Sequence, residues 1–85
     1  MAAVTIYTRA FCPYCSRALS LLQRKGADVT EIDATFDTAQ KAEMVRRAGG
    51  KSTFPQIFIG DTHVGGSDEL HALDAKGGLD PLLAA

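Results

Sequence analysis

A β-branched run at residues 4–8 gives way almost at once to a helical stripe opening at Pro13, and a second short β-run follows at residues 29–34. Strand, helix and strand in that order leave the chain little freedom. The second strand returns parallel to the first, across a right-handed connection. Val4 and Ile6 share one face of the first run. Pro13 suits a first helical position, where its missing N–H would find no partner in any case. Tyr14, Ala18 and Leu22, with Cys15 and Leu19 beside them, form one apolar stripe, and Gly26 closes a helix predicted over residues 13–25.

Downstream, Asp37 followed by Gln40 resembles a capping box for a helix over residues 37–48, stopped by Gly49-Gly50, with Met44, Val45 and Ala48 facing inward. Residues 56–59 and 62–64 read as a hairpin about Gly60-Asp61. Ser67 is placed to cap a last helix that carries Leu70 and Leu73 to about Lys76. Gly77-Gly78 ends that helix, and Leu79, Leu82 and Leu83 are expected to pin the tail to the body. The order is β-α-β-α-β-β-α, which predicts an α/β protein with a mixed four-stranded sheet and helices on both faces.

A chain of 85 residues has the length of one domain. Apolar residues make up 46% and charged residues 22%, the balance of a globular protein and not of a disordered one. The net charge of −1, with no long basic run, argues against nucleic acid or an anionic membrane surface as partner. Met1-Ala2-Ala3-Val4 carries no basic leader and reads as entry to the first strand. No segment approaches the roughly 20 apolar residues of a membrane span, so a cytoplasmic location is expected.

The two cysteines both fall in Cys12-Pro13-Tyr14-Cys15. In a reducing compartment such a pair is more often catalytic or metal-binding than a staple, and so short a closed loop would remove little chain entropy. The pair sits at a strand-to-helix junction. Cys12 lies at the helix start, where unpaired N–H groups and the macrodipole favour an anion. Cys15 follows one turn on, on nearly the same side. Cys12 is therefore expected to face outward and attack, and Cys15 to be partly covered and resolve. The thiolate is the nucleophile, and Arg9 is the available nearby cation. Zinc needs about four ligands, usually a second close pair. His63 and His71 are too far apart in sequence for that pair, so one chain does not complete a metal site, although a cluster shared by two chains stays open. Gly50-Lys51-Ser52 looks like the end of a phosphate-binding loop. The earlier glycine it requires is Val45, and a helix precedes it where a strand should, so it is set aside.

Tyr7-Thr8-Arg9, Cys12-Pro13-Tyr14-Cys15, Thr53-Phe54-Pro55-Gln56 and Gly65-Gly66-Ser67-Asp68, in this order, resemble a glutaredoxin, and residues 73–80 resemble the tail of the bacterial glutaredoxin 3 type. The resemblance implies a thioredoxin fold and an enzyme, a glutathione-dependent thiol–disulfide oxidoreductase. Its catalytic pair would be Cys12 and Cys15. Pro55 would be a cis-proline holding the Phe54 backbone toward glutathione. Gly66, Ser67 and Asp68 would open a helix whose N–H groups take the γ-glutamyl carboxylate, with Asp68 near the ammonium. Arg9 would serve the glycyl carboxylate and Tyr14 would line the groove. Thr53 is a weaker contact, as are Arg46, Lys51 and Gln56. Glutathione would be the co-substrate, glutathionylated or disulfide-containing proteins the substrates, and no metal or tightly bound cofactor would be needed. A monomer is expected. The chain departs from the family pattern at Arg9, where lysine is common, at Phe54, where valine is usual, and at Ser67, where some members carry a further cysteine.

Overall fold

The computed structural model describes residues 2–85; Met1, expected to lead into the first strand, lies outside the described residues. The elements run β1 (Ala3–Thr8), α1 (Pro13–Arg24), β2 (Asp28–Asp33), α2 (Thr38–Arg47), β3 (Gln56–Ile59), β4 (Thr62–Gly65), α3 (Ser67–Ala75) and α4 (Leu79–Ala84). The strands lie in the order β2-β1-β3-β4. β1 and β2 are parallel, and β3 is antiparallel to both β1 and β4. The mixed sheet expected from the chain order is the one formed. The weak alternation of β2 follows from its place: it is an edge strand, and only Val29 and Ile32 are half-buried.

Alternation along the two central strands divides the core. Val4 and Ile6 of β1 with Ile57 and Ile59 of β3 meet Ala18, Leu21 and Leu22 of α1, Leu70 of α3, and Leu79 and Leu83 of α4. Tyr7 and Phe58, at alternate positions of the same strands, point to the opposite face and meet Met44 of α2 and Ala48 just past it. Helices therefore cover both faces. On the second face the Arg47 guanidinium lies 4.3 Å from the Phe58 ring centroid and donates to the Tyr7 hydroxyl at 3.0 Å. Its planar charge is stacked on aromatic surface, where a cation–π attraction adds to the hydrogen bond.

The predicted caps hold with two corrections. Asp37 Oδ1 accepts the Gln40 N–H at 3.0 Å, which starts α2 as expected. Ser67, expected to cap α3, is instead its first helical residue, and Gly66 stands at the cap. Glu69 Oε1 reaches back to accept the Gly66 N–H at 2.8 Å. A Cβ at Gly66 would come within 3.2 Å of that oxygen and 3.4 Å of the Pro55 carbonyl, so a glycine lets the Pro55 loop and the α3 start close on each other. The second correction is the tail. It forms a further short helix, α4, in which Leu79 and Leu83 are buried on the same side. Lys25, just past α1, bonds Asp74 of α3 at 2.8 Å and Asp80 of α4 at 3.0 Å, which ties the three helix ends together. Gly60, at φ 57°, makes the hairpin turn between β3 and β4. Among the described residues no helix is long and apolar enough to cross a membrane.

Candidate active site

The chain leaves β1 at Thr8 and turns into α1 at Cys12, which is the helix cap (φ −111°, ψ 103°) ahead of Pro13. Its Sγ accepts the Cys15 N–H at 3.3 Å. Sulfur here takes the part an oxygen usually plays at an N-cap. Both cysteines are free thiols. Their burial differs from the expected pattern: Cys12 is only 7% exposed and Cys15 3%. Cys12 is the more accessible of the two but does not face outward. Phe11 takes that position, fully exposed and at a positive φ of 58°.

Burial pushes the Cys15 thiol up to about 12, helped by its hydrogen bond to Cys12; the Arg9 backbone and guanidinium act in the opposite sense. Cys15 is thus held as a protonated thiol at neutral pH beside Cys12. The two cysteines share a hollow of about 360 Å³ with Arg9, Phe11, Ser16 and the Thr8–Glu31 pair, in which the Thr8 hydroxyl donates to the Glu31 carboxylate at 2.8 Å.

The second wall comes from the loop before β3. The Phe54–Pro55 bond is cis, as the resemblance implies, and Pro55 is buried. Gln56, a weak contact candidate, is buried and turned away from the groove. Its amide donates to the Thr53 carbonyl at 3.0 Å and to Thr53 Oγ1 at 3.1 Å, and its carbonyl oxygen lies 2.7 Å from His63 Nε2. Gln56 therefore fixes Thr53. The third wall is the start of α3, where Ser67 is buried and Asp68 exposed.

These walls meet. Tyr14, Thr53, Phe54, Pro55, Gly66, Ser67 and Asp68 line one hollow of about 270 Å³ with Glu69. A second hollow, of about 420 Å³, continues from it through Tyr14, Thr53 and Phe54 to Arg9 and Lys41. Arg9, Tyr14, Thr53, Phe54, Pro55, Gly66, Ser67 and Asp68 thus each line one of these two hollows. Of the weaker candidates, Arg46 pairs with Glu43 on the exposed side of α2 and Lys51 lies outside these linings. Lys41 was not singled out in the sequence. A signal was present, because it sits in the first turn of α2, a turn without an acidic residue, where the macrodipole disfavours a cation. Among the described residues no group of three His, Cys, Asp or Glu side chains is arranged to hold a metal, and His63 is stacked on Phe58 at 4.9 Å between centroids.

Comparison with known proteins gives the same picture. The glutaredoxin family model matches residues 4–64. A glutaredoxin of Pseudomonas aeruginosa is 56% identical over 85 residues, covering 100% of both chains. Glutaredoxin 3 of Escherichia coli is 53% identical over 83 residues, 98% of this chain and 99% of that one. The solution structure of a glutaredoxin from Brucella melitensis is 58% identical, with a TM-score of 0.84 over 98% of this chain and 89% of that one. A crystal structure of a buckwheat glutaredoxin–glutathione complex is 29% identical, with a TM-score of 0.87 over 98% of this chain and 77% of that one. With the thioredoxin fold and the free C-P-Y-C pair at its strand-to-helix junction, the chain belongs to the glutaredoxin family of thiol oxidoreductases, in its bacterial glutaredoxin 3 type.

Proposed function

We propose that this chain, as a single cytoplasmic domain working as a monomer, reduces protein–glutathione mixed disulfides and protein disulfides with glutathione. The observation that carries the reading is a pair of adjoining hollows, one lined by Tyr14, Thr53, Phe54, Pro55, Gly66, Ser67 and Asp68 and the other running to Arg9, which also lines the hollow of the two cysteines. The ends of the pair differ in charge as a tripeptide requires. The first N–H groups of α3, at Ser67 and Asp68, have no partner within the helix and suit the γ-glutamyl carboxylate. The Gly66 N–H is already given to Glu69 and takes no part. The Asp68 carboxylate suits the ammonium of the same residue. At the far end Arg9 suits the glycyl carboxylate. Between them the Phe54 backbone, beside the cis bond, offers an N–H and a C=O to the tripeptide's cysteine, and Tyr14 forms the exposed side.

In the first step the Cys12 thiolate attacks the glutathionyl sulfur of a mixed disulfide. The sulfur–sulfur bond to the protein breaks, and the protein leaves as a thiolate that takes up a proton. A second glutathione thiolate attacks the glutathionyl sulfur held on Cys12, which releases oxidised glutathione and restores the Cys12 thiolate. With a protein disulfide, Cys12 forms a mixed disulfide with the protein. Cys15 then loses its proton and attacks the Cys12 sulfur, which breaks the bond to the protein, releases its second cysteine as a thiolate and leaves a Cys12–Cys15 disulfide that two glutathione molecules reduce. Burial of Cys15 suits this division: a thiol held protonated attacks slowly, which leaves the Cys12–glutathione disulfide open to a second glutathione. No metal or tightly bound cofactor enters either route.

Glutathione-driven reduction of a glutathionylated model substrate tests the reading. Cys12→Ser should lose turnover, whereas Cys15→Ser should keep most of it while losing reduction of protein disulfides. A wild type without glutathione-driven turnover, or a Cys12→Ser variant that retains it, would contradict the assignment.

A further inference from the structure

Beside the groove, on the side away from α3, lies another hollow of about 390 Å³ between Phe11, Phe36 and Phe54, with Arg9 and Lys41 on its lining. Phe11 and Phe36 are 102% and 97% exposed, the two most exposed large apolar side chains in the described chain. Solvation of two whole phenyl rings offers folding nothing, so this surface is available for binding. It is also rigidly built. The Ala34 N–H donates to the Thr8 carbonyl at 2.9 Å, the Ala10 N–H to Thr35 Oγ1 at 2.7 Å, and the Thr35 N–H to Asp33 Oδ1 at 2.9 Å. These bonds clamp the loop carrying Phe11 to the loop carrying Phe36, and the positive φ of Phe11 sends its ring outward immediately before Cys12.

Charge narrows the choice of occupant. Arg9 and Lys41 are the charged residues of this lining and no carboxylate joins them, although the whole chain carries a net charge of −1. We propose that the Phe11–Phe36 hollow receives the protein side of the disulfide substrate, selecting a segment in which an apolar side chain and acidic residues flank the reacting cysteine. The inference rests on the glutathione reading above, with the tripeptide in the Tyr14–Ser67 groove and the peptide beside its Arg9 end, on the side away from α3. With Arg9 given to the glycyl carboxylate, one apolar side chain between two rings and a carboxylate near Lys41 make a small, transient contact, as turnover needs.

The test uses two peptides of equal length, each joined to glutathione through its one cysteine. One carries leucine and aspartate beside the cysteine, and the other serine and lysine. The wild type should favour the first in kcat/KM by about tenfold, the scale of one partly buried apolar side chain, and the preference should shrink as salt is raised. The double variant Phe11→Ser/Phe36→Ser, altered only at exposed positions, should lose the leucine part of the preference and keep only the charge part, which disappears at high salt. Equal rates in the wild type, or a preference at high salt that the double variant keeps in full, would overturn the proposal. A wild type that sediments as a dimer, made monomeric by the double variant, would overturn it in favour of a second copy as occupant. Failure of the glutathione reading itself looks different: neither peptide turns over at all.

Discussion

The two faces of the sheet are built to different purposes. The face under α1, α3 and α4 is aliphatic and closed, with Val4, Ile6, Leu22, Ile57, Leu70 and Leu79 without solvent contact. The face under α2 is thinner and aromatic. Tyr7, Met44, Ala48 and Phe58 form its centre, Arg47 lies over the rings, and Phe54 packs on as a partly buried neighbour. Phe54 is also a wall of both groove hollows, so the second core passes without a break into the site. The difference separates two tasks. The aliphatic face supplies most of the apolar burial, and the aromatic face sets the width of the groove.

The sharpest test pairs one truncation from each face. Leu22→Ala should cost about 2–5 kcal/mol in chemical denaturation, since α1, β1 and α3 enclose it, yet leave kcat/KM per folded molecule unchanged. Met44→Ala should fall toward the lower end of that range and also raise KM for glutathione, because Phe54 loses part of its backing. Equal effects on KM would show that the faces are not divided as described. A smaller effect is expected from Arg47→Met, which removes the bond to Tyr7 and the charge over Phe58 while keeping an apolar stem: about 1 kcal/mol, with little change in turnover.

At neutral pH the smallest effect of all comes from Cys15. Its pKa in the folded, reduced protein is raised from 9.0 to about 12, so the folded state holds this proton after the unfolded chain has released it. The contribution is complete below pH 9 and is lost as pH rises through about 12. Denaturation midpoints of the reduced wild type should therefore fall over that interval, and those of Cys15→Ser should fall less. Parallel curves would remove the burial argument for the resolving thiol.

Elements set by local chemistry were legible in the sequence: the α1 start at Pro13, the Asp37 cap, the hairpin about Gly60 and the cysteine pair. The misreadings have two causes, alternative local bonds that the sequence does not rank and meetings between distant segments. Ser67 looks like a cap until Glu69 and the Pro55 carbonyl place Gly66 there. Cys12 looks exposed until Phe11 takes the outward position. Gln56 looks like a contact, but its amide is spent on Thr53. Lys41 and Phe36 reach the site only because α2 and the loop before it pack beside Arg9. The tail leucines showed attachment, but a six-residue helix is too short for periodicity to reveal.

The most direct measurement is to trap the intermediate. Cys15→Ser protein treated with oxidised glutathione should gain one glutathionyl group, and peptide mapping should place it on Cys12. Amide shifts should move at Tyr14, Phe54, Ser67 and Asp68 and stay still on the aliphatic face. An adduct that forms without those shifts, or no adduct on Cys12, would contradict the account.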